Sequence, residues 1–137
     1  VSFHKRAQIV VADIWCLFEG SGRGGMDGIE ELTMFADYRV PQSLQQYGVF
    51  VYGEELKKHL GSEELLEPGH RWEQEIRGCS IEAVQRVTAR VLELLVERGV
   101  EAKVNSILVD QFLWGYRRKH SQAMLRIPYH RVRSIYY

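Results

Sequence analysis

The sequence predicts a mainly α-helical domain. Apolar residues recur at three- and four-residue spacing through most of the chain. Gly and Pro punctuate those stretches where helices end and begin, and strand-like character is confined to residues 49–52. In residues 3–19, Phe3, Ala7, Val10 or Val11, Ile14 and Phe18 fall at helical spacing, and Gly20 stands where a C-terminal cap is expected. Residues 20–28 are a glycine-rich loop, followed by a short helical turn at 29–32. Residues 33–40 carry no clear periodicity. Pro41 suits the start of a helix that ends at Gly48, and residues 54–60 form another, closed by Gly61. After Pro68 and Gly69 comes the longest amphipathic stretch, with Ile81, Val84, Thr88, Val91 and Leu95 on one face and Gly99 as its stop. Residues 104–118 make a helix apolar on nearly all sides, which predicts an internal position. The tail, residues 128–137, is basic and aromatic.

Composition narrows the function classes. The 137 residues suit one domain, and 45% hydrophobic with 26% charged residues suits a folded globular chain. Lys plus Arg equals Asp plus Glu, 18 of each, so the net charge of zero argues against a nucleic-acid binder or a polybasic membrane-surface protein. Asp13 interrupts the best candidate for a membrane span, and the start does not read as a secretion signal. The chain opens at Val1 within what reads as helix, so a piece of a longer chain is expected. Cys16 and Cys79 form no metal-ligand or redox spacing, which predicts reduced, mostly buried thiols in a cytoplasmic protein. The five histidines are scattered, and no metal or other cofactor is expected.

Several residues carry possible chemistry. The loop beginning Gly20-Ser21-Gly22 matches GxGxxG by letter, but a helix precedes it, so it reads as a helix-to-helix connection. Asp37, just before the Pro41 helix, reads either as a capping or ion-paired carboxylate or as one set at a pocket mouth to face a developing cation. Asp110 lies in the most apolar helix. Facing inward, it needs a cationic partner or a ligand, such as the N–H and amino edge of a guanine-like ring. Lys5 reads as an exposed charge or as a desolvated amine near a substrate. The arginines and aromatics of the tail suit a phosphate or a base, or simply pin the tail to the body.

Five strings occur in order: FHKRAQIVVAD at 3–13, LTMFADYRVPQ at 32–42, EIRGCS at 75–80, VNSILVDQFLW at 104–114 and PYHRVRSIYY at 128–137. Together they resemble the C-terminal part of the queuosine salvage family, the queuosine 5′-phosphate N-glycosylase/hydrolases, whose members are longer. Residues 1–137 then form the C-terminal portion of a single helical domain. The family often has an acidic residue after the tryptophan, where this chain has Gly115. The resemblance implies a helical fold akin to the DNA glycosylases. It also implies hydrolysis of queuosine 5′-monophosphate to queuine and ribose 5-phosphate, a small-molecule substrate with no direct nucleic-acid or membrane partner. By motif position, Asp37 and Lys5 match catalytic residues, while Asp110, Tyr38, Arg39 and Arg133 fall in motifs near the substrate. Lys5 and the Arg133 tail are candidates for the 5′-phosphate. Whether Asp37 acts electrostatically, as nucleophile or on a water stays open, as does the oligomeric state. The competing readings are a helical binding module that keeps the fold without the pocket, and a glycosylase acting on bases in nucleic acid.

Overall fold

A computed structural model describes residues 2–137. Its described residues form six α-helices: α1 (Lys5–Leu17), α2 (Val40–Gln46), α3 (Glu54–Ser62), α4 (Arg71–Glu97), α5 (Ser106–Lys119) and α6 (Ser121–Met124). Short 3-10 turns stand at Gly22–Gly24 and Ile29–Glu31. One parallel pair joins β1 (Leu65–Leu66) to β2 (Arg131–Val132). The mainly helical expectation is met, and none of these helices is long and apolar enough to cross a membrane.

Local chemistry sets the boundaries. Residues 49–52 are not a strand. Gly48 takes φ 74°, and the Val49 amide donates to the Leu44 carbonyl at 2.9 Å, so this segment begins as the C-terminal cap of α2. The same device ends α4, where Val100 N–H reaches the Leu95 carbonyl at 2.9 Å past a left-handed Gly99. In α1 two left-handed residues, Glu19 (φ 52°) and Gly20 (φ 67°), form the cap, and Gly20 N–H donates to the Trp15 carbonyl at 2.8 Å. Asn105 begins α5, its Oδ1 accepting from Leu108 N–H at 3.0 Å.

Helix α2 lies against α4 and α5, and Met34, Val40, Leu44, Val84, Val109 and Leu113 form the core between them. Ala12, Phe35 and Ile107 form a smaller cluster where α1 joins α5. Two expected faces differ. On α1, Ile9, Ala12 and Trp15 turn inward, whereas Val10, Ile14 and Phe18 are exposed. Helix α1 is apolar on both sides, and the side beside Phe35 is the one that finds partners. Helix α5 is not internal: Phe112 is 64% exposed and Trp114 42%, because one face packs while the other borders open clefts. Both cysteines are free, but Cys79 is exposed rather than buried.

The aperiodic stretch before α2 is the part that positions the site. It is extended and mostly buried, so its backbone groups need partners. Side chains from three helices supply them. Gln8 of α1 accepts from Thr33 N–H at 2.9 Å, and Asp110 of α5 accepts from Phe35 N–H at 3.0 Å. Arg77 of α4 donates through Nε to the Ala36 carbonyl at 3.0 Å. These bonds fix the segment at the residues just before Asp37.

Candidate active site

Lys5, Ile9 and Asp13 on α1, Phe35 and Asp37 on the extended segment, and Asp110, Gln111 and Trp114 on α5 line a half-open cleft of about 580 Å³. That volume suits a small molecule. Lys5, Ile9 and Asp13 share one side of α1 because they are four residues apart. Asp110 reaches the cleft from α5 at 4% exposure.

Asp37 both caps a helix and borders the cleft. Its Oδ1 accepts from the amides of Arg39 (2.9 Å) and Val40 (2.8 Å), which caps the start of α2. Among the described residues Oδ2 makes no hydrogen bond, and the side chain borders the cleft. Burial raises its pKa; the Val40 and Arg39 amides and the charges of Lys5 and Arg39 oppose that rise. Asp110 pairs with no Arg or Lys among the described residues. Its Oδ2 is already taken by Phe35 N–H. Burial first, and the nearby charge of Asp37 second, push its pKa up to about 7, against the Phe35 amide and Lys5. Asp37 has two amide donors where Asp110 has one. The Asp37 charge raises Asp110, so of the two carboxyls Asp110 is the one pushed towards its protonated form near neutral pH.

The other expected residues are dispersed. Tyr38 stacks on Tyr129 at 5.3 Å between ring centres and lies 6.0 Å from Tyr137, outside the cleft lining. Arg39 shares its amide with Asp37 but sends its guanidinium over the rings of Tyr129 (4.5 Å) and Tyr38 (4.9 Å) into a different cavity. Arg133 is exposed and lines neither cavity: β2 ends at Val132, so Arg133 lies beyond the last residue held by strand pairing. The tail does pin itself to the body, through Tyr137.

Sequence reasoning missed the groups that support the site. Glu73 and Arg77, both about 95% buried, pair at 3.0 Å beneath the Asp37 segment. Glu73 Oε1 also accepts from Tyr137 Oη at 2.9 Å, and Oε2 from Gly69 N–H at 2.7 Å. The Tyr137 hydroxyl, donating there, accepts from His130 Nε2 at 2.8 Å, which places the imidazole proton on Nε2. Burial lowers the pKa of His130 to about 4 and raises that of Tyr137. Arg77 lies over the rings of Phe3 (4.4 Å) and Tyr137 (4.6 Å). The sequence signals were the Glu73/Arg77 spacing of four, which surface pairs share, and the place of Arg77, His130 and Tyr137 within two of the five strings.

Fold and cleft together define a helical protein with a half-open cleft lined by three carboxylates, Asp13, Asp37 and Asp110, and a lysine. The chain belongs to the queuosine salvage family: the family model described as "Queuosine salvage protein" matches residues 1–137. Over its whole length the chain is 48% identical to a protein of Mus musculus, 47% to one of Bos taurus and 38% to one of Sphaerobacter thermophilus. Each of these relatives is named queuosine 5′-phosphate N-glycosylase/hydrolase. The chain spans 40–41% of the length of these curated relatives.

Proposed function

We propose that the protein containing this chain hydrolyses the N-glycosidic bond of queuosine 5′-monophosphate, releasing queuine and ribose 5-phosphate. The family match across residues 1–137 carries this reading. The gathering of Asp37, Lys5 and Asp110 around one cleft supports it. The C1′–N bond breaks with its electron pair going to the base, and the sugar becomes cation-like. Water then adds its oxygen to C1′, and its proton balances the departing base. Ionised Asp37 faces the developing cation through its free Oδ2. The Lys5 ammonium favours that ionised state, since its charge opposes the rise in the Asp37 pKa.

Queuine is a 7-deazaguanine and has no N7 to protonate, so the leaving group needs help elsewhere on its ring. Negative charge flows into the base as the bond breaks. A protonated Asp110 donating to the base favours that flow, whereas an ionised one repels it. This assigns Asp110 the role of donor and orienting group at neutral pH, consistent with its raised pKa. The zero net charge suits a small nucleotide rather than a nucleic acid. The two free thiols suit the reducing cytoplasm.

The test is incubation of the full-length protein with queuosine 5′-monophosphate and mass-spectrometric detection of free queuine. Stoichiometric release of queuine and ribose 5-phosphate is expected. Intact nucleotide after prolonged incubation with folded protein would overturn the reading.

A further inference from the structure

A second cavity, of about 400 Å³, shares no lining residue with the Asp37 cleft. Four arginines border it: Arg39, Arg117, Arg126 and Arg131. Its one lining carboxylate, Glu63, lies 2.7 Å from Arg131 Nη2 and so is already engaged. Arg39 and Arg117 have no carboxylate partner among the described residues.

What holds these two arginines is a neutral amide. Gln42, 2% exposed, donates through Nε2 to the carbonyls of Met124 and Ile127, which orients its oxygen. That Oε1 accepts from Arg39 Nη1 at 3.2 Å and from Arg117 Nε at 3.1 Å. Two like charges therefore converge on one uncharged acceptor. Partial burial, and then the charge of Arg39, lower the pKa of Arg117. A guanidinium does not lose its proton in a protein, so the unbalanced charge persists. Stacking on Tyr129 and Tyr38 fixes the plane of Arg39. Paired planar forks suit a tetrahedral oxyanion with several acceptor oxygens.

We propose that Arg39 and Arg117, set by Gln42, form a binding site for a phosphomonoester dianion. The site does not require the glycosylase reading. The identity of its ligand as the 5′-phosphate of the nucleotide does rest on that reading. Arg39 links the two, because its amide bonds the Asp37 carboxylate while its guanidinium enters the second cavity.

The test uses the full-length protein, with R117M compared to wild type and to R86M, whose arginine is exposed on α4. Calorimetric titration with inorganic phosphate and with ribose 5-phosphate is expected to show at least tenfold weaker binding in R117M and no change in R86M. Melting temperature reports folding. Where R117M does not fold, R117K serves, since it keeps the charge and loses the fork, and a smaller loss of affinity is expected. Kinetics distinguish the phosphate's source. A tenfold fall in kcat/KM for queuosine 5′-monophosphate, with the nucleoside unchanged, places the substrate's own phosphate in the site. Lost phosphate binding with unchanged nucleotide kinetics supports the site with a separate phosphate ligand. Folded R117M that binds phosphate like wild type, with the nucleotide-to-nucleoside ratio unchanged, overturns the proposal. Arg117-dependent phosphate binding without any queuine release would sink the function and leave the site standing.

Discussion

The molecule buries charge in two neighbouring places and treats it in opposite ways. Beneath the Asp37 segment, Glu73 receives three donors and Arg77 supports a backbone carbonyl, so that the two opposite charges are matched, although Arg77 Nη2 and His130 Nδ1 are buried without a hydrogen-bond partner among the described residues. At the cleft, Asp37 and Asp110 share one lysine and three amide donors, and both carboxyl pKa values are raised. Charge matched by the fold maintains the architecture. Charge left partly unmatched is available to a ligand, at some cost to stability.

Breaking the matched region should give the largest effect. Arg77→Met strips Glu73 of its cation and frees the Ala36 carbonyl, and a loss of about 3–5 kcal/mol in unfolding free energy is expected by urea denaturation. The double variant Glu73→Gln with Arg77→Met removes the stranded charge and should recover part of that loss. Recovery of none would mean that the Ala36 contact, not the charge balance, is what matters. The unmatched region should respond the other way. Asp37→Asn keeps an acceptor for the Arg39 and Val40 amides, so melting temperature at pH 7 should hold or rise. Turnover should fall about 10²–10³-fold, or roughly 2.7–4 kcal/mol, because the lost charge acts on the transition state. Comparable turnover by this variant would remove Asp37 from the mechanism.

The two regions should also titrate with opposite sign. His130 is held near pKa 4, below its ordinary 6.5, so the unfolded chain binds the extra proton between those values. Stability should be lost as pH falls from about 6.5 to 4, on the order of 3 kcal/mol, and His130→Asn should flatten that slope. Asp110 is held near 7, above the ordinary 3.8, so here the native state binds the extra proton. Its contribution makes stability fall as pH rises through that window. The difference between wild type and Asp110→Asn in urea midpoint, measured at pH 4.5 and 8, isolates it. With Asp110 as donor, kcat/KM for the nucleotide should decline above about pH 7, and Asp110→Asn should lose that limb. A profile that instead rises through pH 7 would make the ionised carboxylate the working form.

Much of this contrast was legible before the structure. A carboxylate in the most apolar helix needs an explanation, and Asp110 is indeed buried with no ion pair to Arg or Lys among the described residues. Spacing and punctuation located α2, α3, α4 and α5 to within a few residues, apart from the start of α4, ten residues ahead of the apolar face that announced it. The misses share a cause. Helix α1 is apolar on two sides, and periodicity cannot say which side finds a partner. The extended segment before Asp37 has no period because side chains of distant helices, not a ladder, satisfy its backbone. Motif position puts Arg39 near the substrate together with Asp37, yet its side chain leaves for the second cavity.

The smallest predicted effect tests the contrast most directly, because helix α4 contains its own control. Glu82 and Arg86 repeat the spacing of Glu73 and Arg77 nine residues later, and their 2.7 Å ion pair is shorter than the 3.0 Å of the buried one. The side chains of the later pair are 59% and 80% exposed, against 5% and 4% for the earlier one. Water solvates Glu82 whether or not Arg86 is present, so Arg86→Met should change unfolding free energy by less than about 1 kcal/mol. Distance and spacing would predict equal costs for the two arginines; desolvation predicts several-fold more for Arg77. Urea denaturation of the two single variants in parallel decides between them. Equal losses would mean that burial is not what gives the Glu73–Arg77 pair its hold on the Asp37 segment.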